Sequence, residues 1–320
     1  MKIVQFGAGN IGRGLIYPWL RRYSDDIFLI DNNKDLVHEL NKENKYTIFD
    51  TDNNETVLTG INIIHSEDKC ISELFKNVDI VITSVGVNNL KHIANTIINN
   101  IALIDNAIFI CFENSPFSGN ILKEAMMELV KYDIKLLNII QKKFTFINGV
   151  IDCIIPDMNL GLNIIRENYS EWYIDLPNNI NIDLFKDNNI NTVNFQYYID
   201  RKLYLFNISH WAIAYYGLSK GYKYIYDAWN DIEISEKVCD ILFHTCNFLI
   251  KKYPERENDI NFYLKNVVNR FSNKNINDTL QRVARDPLRK YDFIKKSFNT
   301  FEESNVFNIL LEEIEKNFYK

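Results

Sequence analysis

No apolar run in this chain of 320 residues approaches the ~18 residues that a membrane-spanning helix needs. The five cysteines, Cys70, Cys111, Cys153, Cys239 and Cys246, are odd in number and scattered, with no CxxC pair among them. That pattern argues against a disulfide framework and offers zinc no ligand spacing, so buried free thiols and no metal site are expected. An excess of positive charge is also missing. With 36 basic against 42 acidic residues the net charge is −6, which argues against a nucleic-acid or anionic-membrane partner but leaves local basic clusters free to hold small anions. Internal repeats and sustained heptads are absent. The start, MKIVQFG, already reads as a strand and not as a signal peptide, so a cytoplasmic protein is expected. What remains, 47% hydrophobic and 24% charged, is a globular chain long enough for two domains.

The most informative stretch is Met1 to Gly14, MKIVQFGAGNIGRG. A strand-like run, Lys2 to Phe6, enters a turn with glycines at Gly7, Gly9 and Gly12, and an apolar, helix-like segment follows. In a dinucleotide-binding turn each glycine has its own task. Gly7 permits the tight turn, Gly9 lets the backbone approach a pyrophosphate, and Gly12 lets the helix lie close against the strand. Asp31 ends the strand-like run Ile27 to Ile30, nineteen residues past Gly12, where an acid suits hydrogen bonds to a ribose 2′-hydroxyl and repels a 2′-phosphate. NAD(H) is therefore the expected cofactor, held by Gly7, Ala8, Gly9, Asn10, Ile11, Gly12 and Asp31, and by Ser84, Val85 and Gly86 at the end of a later strand. Arg13 either reaches the pyrophosphate or caps the surface.

The first half alternates strand-like and helix-like segments, the signature of a parallel sheet covered on both faces. Lys34 to Asn41 and Asn89 to Ile98 read as helices. Tyr46 to Phe49, Glu55 to Leu58, Ile61 to Ile64, Asp79 to Ser84 and Ile108 to Phe112 read as strands. Near Phe144 to Asp152 the alternation fades, and from about Asn191 the chain reads as helical, with Pro254 and Pro287 as breakers. The expected architecture is α/β. A Rossmann-type, parallel-sheet, NAD-binding domain over residues 1–185 precedes a mostly α-helical, substrate-binding and catalytic domain over 186–320.

In the helical half, Asp200 to His210 brings together Lys202, Asn207 and His210. At about 100° per residue of α-helix, His210 lies roughly 80° and Asn207 roughly 140° around from Lys202, so the three fit one side. A lysine among Leu203, Leu205, Phe206 and Trp211 is expected to titrate below its ordinary value of about 10.4 and to serve as a base near neutral pH. The bland alternatives are a solvated lysine and a core histidine. Arg282, Arg285, Arg289 and Lys290 form the dense basic group of this half, with Arg285, Arg289 and Lys290 the candidates for a substrate phosphate, because guanidinium forks match phosphate oxygens.

The chain resembles the polyol-specific long-chain dehydrogenases/reductases. The resemblance runs from residue 1 to about 292 through FGAGNIGRG (Phe6 to Gly14), TSVG (Thr83 to Gly86), EN (Glu113, Asn114), IDCIIP (Ile151 to Pro156), SEWYID (Ser170 to Asp175), RKLYLFNISH (Arg201 to His210) and RVARDPLRK (Arg282 to Lys290). It implies a zinc-independent, monomeric NAD(H) oxidoreductase with a sugar or polyol phosphate as substrate: mannitol 1-phosphate, with fructose 6-phosphate as its ketose. It also implies roles: Lys202 as general acid/base, Asn207 and Asn114 on the alkoxide, His210 orienting substrate, and Glu171 and Trp172 shaping the wall of the site. Two departures stand out. Phosphate-using members usually carry NTGH where this chain has Asn207-Ile208-Ser209-His210, and the relatives carry further C-terminal helices beyond the point where this sequence stops. A free polyol or hexuronate as substrate, or NAD binding without catalysis, are the rival readings.

Overall fold

In the computed structural model, residues 1–156, 160–180, 182–187, 190–298 and 305–318 are described. The chain divides into two compact units, Met1–Phe195 and Gln196–Lys320.

The first unit is built on strands β1 (Ile3–Phe6), β2 (Ile27–Asp31), β3 (Lys45–Asp50), β4 (Glu55–Thr59), β5 (Asn62–His65), β6 (Ile80–Thr83), β7 (Ala107–Phe112), β8 (Phe144–Asp152), β9 (Ile164–Arg166), β10 (Glu171–Ile174) and β11 (Ile190–Asn191). Eight of them form one sheet in the order β11-β10-β8-β7-β6-β1-β2-β5. From β8 to β5 every neighbour is parallel. At the far edge β10 runs antiparallel to β8, and β11 parallel to β10.

The near-continuous Ile, Val and Phe runs make these strands suited to burial on both faces. Side chains alternate between two apolar layers, Ile3, Leu29 and Ile82 facing one and Val4, Phe6, Val81 and Phe109 the other. The expected elements are present, including helices Lys34–Glu43 and Leu90–Asn99. The first of these starts on Asn33, whose side chain accepts from the N–H groups of Asp35 and Leu36, both at 3.1 Å.

Two features depart from the sequence reading. The stretch where the alternation fades is itself a strand, β8, whose polar interior residue Asn148 is satisfied locally. Its side-chain oxygen accepts from Gly119 N–H at 2.9 Å and Asn120 N–H at 3.3 Å, at the start of helix Ser118–Leu129. Strands β3 and β4 leave the main sheet and join β9 in a separate three-stranded sheet, ordered β4-β3-β9.

The second unit is helical. Its central helix, Ile208–Ser219, is buried at every position from Ile208 to Gly217, so it has no polar face to give to water. Helices Ile225–Trp229, Ile232–Lys252, Leu280–Val283 and Asn305–Glu315 pack around it. Helix Phe195–Arg201 leads into it through a turn of wider, π-type winding, Lys202–Asn207.

Two buried charges precede that turn, and each is compensated, as burial requires. The guanidinium of Arg201, only 2% exposed, meets Asp259 Oδ2 at 2.7 Å and lies 4.1 Å over the Tyr263 ring. Asp200 accepts from Lys252 Nζ at 2.6 Å, Tyr253 Oη at 2.7 Å and Gln196 Nε2 at 2.7 Å.

All five cysteines are free. Cys111 and Cys246 are buried as expected and Cys153 is half-buried, whereas Cys70 and Cys239 are exposed, a correction to the uniform burial read from composition. Among the described residues, no helix is long and apolar enough to cross a membrane, and no group of three or more His, Cys, Asp or Glu side chains is arranged to hold a metal ion.

Removing Asp259, itself partly exposed, takes one charged contact from the buried Arg201 guanidinium. Asp259→Ala is therefore expected to lower the unfolding free energy by about 1–2 kcal/mol in urea denaturation. A loss too small to resolve would show that the other contacts of Arg201 suffice to hold its charge.

Candidate functional site

In the first unit the strand order turns back at β1, with β2 on one side and β6 on the other. Phe6, Ile30 and Thr83 stand in register at the carboxyl ends of these strands, where open α/β sheets take their ligands. The three glycines play different parts there. Gly7 has φ +93°, and a Cβ on it would lie 2.4 Å from the Ser84 carbonyl oxygen. A Cβ on Gly12 would lie 2.1 Å from the Gly7 oxygen, whereas one on Gly9 would meet nothing within 4 Å. Two of the glycines thus let backbone meet backbone, and the third faces open space. Gln5 Nε2 supports the turn from below, donating to the Gly7 oxygen at 3.0 Å.

A cavity of about 620 Å³ opens over this turn, lined by Gly7, Gly9, Asp31, Asn32, Ser84 and Val85 among others. Asp31 is tied into the turn itself: Oδ2 accepts from Ala8 N–H at 2.7 Å and Oδ1 from Asn33 N–H at 2.9 Å. Arg13 neither reaches into the cavity nor caps the surface. It is buried, donating through Nε to the Ala8 oxygen at 2.6 Å and through its guanidinium to the Leu162 oxygen. Burial lowers its pKa from the ordinary arginine value. Asn10 and Ile11 open the helical segment that contains Gly12.

Glu113, the acid of the EN pair, has a task in the structure. Buried just past β7, its carboxylate accepts from Thr83 Oγ1 at 2.8 Å, Val85 N–H at 3.1 Å and Gly86 N–H at 2.7 Å. It thereby holds the β6 end that lines the cavity. Burial raises its pKa, and the three donors pull the other way. The available signal was an acid directly after the apolar run of β7. Asn114, next in the chain, is exposed.

Glu171 and Trp172 belong to the sheet edge. Trp172 packs in the core, tilted against Trp19 at 4.9 Å and edge-to-face with Phe112 at 5.2 Å between ring centroids, and both tryptophans border a smaller cavity of about 350 Å³. Glu171 accepts from the Tyr173 hydroxyl.

In the second unit Lys202, Asn207 and His210 are all buried on one continuous helical path. The winding corrects the geometry read from the sequence. Lys202 and Asn207 begin and end the π-type turn, in which the backbone bonds residues five apart. The α-helical separation of roughly 140° does not apply, and Asn207 sits about one turn above Lys202.

His210 lies against two aromatic rings, with centroids 4.9 Å from Phe206 and 5.5 Å from Phe271, and the Arg270 guanidinium lies 4.0 Å over the Phe206 ring. Its Nε2 is 3.1 Å from Asp278 Oδ2, close but without the alignment of a hydrogen bond. Burial lowers the His210 pKa, with Asp278 opposing. Burial alone would push the Asp278 carboxyl up, yet His210 and Arg282 hold it at about 2.

The basic group divides. Arg282 is committed to Asp278, donating through Nε and one terminal nitrogen at 2.6 Å each. Arg285 and Arg289 are exposed. Lys290 is buried, its ammonium donating to the carbonyls of Val283 and Arg285. Burial and the neighbouring Arg289 lower its pKa to about 7. Pro287 opens the helix that carries Arg289 and Lys290, Pro287–Phe298.

A doubly wound sheet with a glycine turn at its switch point, followed by an all-helical unit, defines the two-part architecture of a Rossmann-type dehydrogenase. Comparison with known proteins narrows this. Residues 1–184 match the mannitol dehydrogenase Rossmann domain and residues 194–312 the mannitol dehydrogenase C-terminal domain. A mannitol-1-phosphate 5-dehydrogenase of Thermoanaerobacter pseudethanolicus is 34% identical over 91% of this chain and 77% of its own length. One of Buchnera aphidicola from Schizaphis graminum is 31% identical over 97% and 83%. Among solved structures, Pseudomonas fluorescens mannitol 2-dehydrogenase, in a ternary complex with NAD and D-mannitol, superposes with a TM-score of 0.80 at 17% identity, over 98% of this chain and 78% of that one. The chain belongs to the mannitol dehydrogenase family.

The glycine geometry makes a separable prediction. Gly7→Ala, which forces a Cβ onto a carbonyl at positive φ, is expected to cost at least about 2 kcal/mol and to lower the melting temperature. Gly9→Ala is expected to leave the melt unchanged. Equal melts for the two variants would contradict the close contact at Gly7.

Proposed function

We propose that the protein is an NAD(H)-dependent polyol-phosphate dehydrogenase that interconverts D-mannitol 1-phosphate and D-fructose 6-phosphate. The observation that carries this reading is the burial of Lys202, Asn207 and His210 on one helical path, in a chain whose curated relatives bear the corresponding name.

The first unit fits the cofactor. Open space above Gly9 admits a pyrophosphate close to the backbone, and Asp31 stands at the rim of the cavity with its carboxylate held in place. A carboxylate there accepts from a ribose 2′-hydroxyl and disfavours a 2′-phosphate. When bound, the nicotinamide gives or takes the hydride.

The remaining work falls to side chains. For oxidation Lys202, in its amine form, takes the proton from the C5 hydroxyl of mannitol 1-phosphate. For reduction its ammonium returns a proton to that oxygen. Amide N–H donors of Asn207 and Asn114 stabilise the negative charge that develops on the oxygen between these states, and His210 orients the adjacent hydroxyl. With lysine as acid and base, the proton step needs no zinc. Arg289, an exposed residue, offers its guanidinium to the phosphate, with Arg285 in the same basic group. Lys290, bound to the Val283 and Arg285 carbonyls, is the third candidate of the group.

Lys202→Ala is expected to lower the rate of NADH oxidation with fructose 6-phosphate by about 10³-fold while leaving NADH affinity unchanged in a fluorescence titration. Retention of most activity would remove Lys202 as the base. Arg289→Ala should raise KM for fructose 6-phosphate by about tenfold and leave turnover of an unphosphorylated ketose unaffected. Wild-type activity on a free ketose or a hexuronate, with none on fructose 6-phosphate, would replace the phosphorylated substrate. NADH binding with no hydride transfer to any of these would leave a cofactor-binding protein without catalysis.

A further inference from the structure

Asp278 is 3% exposed and lies between the motifs Arg201 to His210 and Arg282 to Lys290. Its position is closely held. Asn277, just before it, takes the left-handed conformation with φ +50°. The Asp278 carbonyl accepts from Ile225 N–H at 2.9 Å, Leu280 N–H donates to the Lys223 oxygen at 3.0 Å, and Tyr224 and Thr279 form an antiparallel bridge between these contacts. This short pairing fixes the backbone on both sides of the carboxylate.

Arg282 then fixes the carboxylate itself through its two-pronged contact, 2.6 Å to each oxygen. One of those oxygens, Oδ2, is the atom 3.1 Å from His210 Nε2. That nitrogen is shut off from solvent and has no aligned partner. A buried ring N–H without an acceptor is costly, and Asp278 Oδ2 is a carboxylate oxygen within reach of it.

We propose that Asp278 is the positioning residue for His210: its carboxylate, locked by Arg282, selects the tautomer with the proton on Nε2 and leaves Nδ1 as the ring's acceptor for a substrate hydroxyl. A neutral imidazole carries one donor and one acceptor nitrogen, and the partner of one decides the character of the other. The Phe206 and Phe271 rings restrain the plane of the imidazole, while Asp278 decides which edge donates. Arg282 therefore acts on the site through Asp278. The role of His210 toward substrate rests on the function proposed above; the hold of Asp278 on its tautomer does not.

The test uses the full chain labelled with ¹⁵N-histidine. Ring-nitrogen correlation spectra report the tautomer of each of the five histidines, and loss of one set of signals in His210→Gln assigns His210. The expected result is a neutral His210 with its proton on Nε2 in the wild type and a mixed or Nδ1-protonated ring in Asp278→Asn. In parallel, Asp278→Asn should lower kcat/KM for fructose 6-phosphate by on the order of 100-fold at unchanged NADH affinity. If Asp278→Asn does not fold, Arg282→Gln, which loosens the carboxylate without removing it, should shift the tautomer in the same direction. A wild-type ring protonated on Nδ1, or a folded Asp278→Asn with unchanged tautomer and unchanged kcat/KM, would overturn the proposal. An Nε2-protonated wild type that lacks turnover on every substrate would strike the proposed function and leave the hold of Asp278 on His210 standing.

Discussion

The contact on which the first unit depends is the one between Gly7 and Ser84, where the backbones of two turns approach so closely that a single added carbon would lie 2.4 Å from a carbonyl oxygen. It brings the carboxyl ends of β1 and β6 together at the switch point of the sheet. Two carboxylates then finish the crevice from either side. Asp31 gathers the N–H groups of Ala8 and Asn33, and Glu113 gathers those of Val85 and Gly86. Backbone donors that would otherwise be left unpaired near a strand end are thus satisfied by acids, and the space over Gly9 stays clear.

The second unit solves a different problem, that of placing charge inside a helical core. Its central helix is buried nearly throughout, so every ionised group near it needs a partner close by. Asp200 and Arg201 are compensated immediately before Lys202, and Asp278 is compensated by Arg282 beside His210. These pairs are weak sources of net stability. They fix the groups they join beside the π-type turn and the imidazole.

Legibility in the sequence followed locality. The strands and helices around Gly7 to Gly12 and Asp31 were readable because glycine spacing, apolar runs and an acid at a set distance act over short stretches. The strand β8 was obscured because Asn148 reads as loop chemistry, and only the helix that follows β7 shows where its amide goes. Lys202, Asn207 and His210 could be singled out as a group, but their angular relation could not, since nothing local announces π-type winding. Asp278 was invisible for a plainer reason. Its partner His210 lies far away in sequence, and a lone Asp in an Asn-rich loop carries no pattern. The basic group was legible as a cluster, yet which of its members are buried and which exposed depends on packing.

The central claim is that the chain moves a hydride between its cofactor and the ketose carbon of a sugar phosphate. It is tested most directly by following the hydrogen itself. Wild-type protein given NADH deuterated at the transferable position and fructose 6-phosphate should form mannitol 1-phosphate carrying deuterium at C5, observed by NMR. Undiminished fructose 6-phosphate with no labelled polyol, under conditions where NADH is bound, would contradict the account.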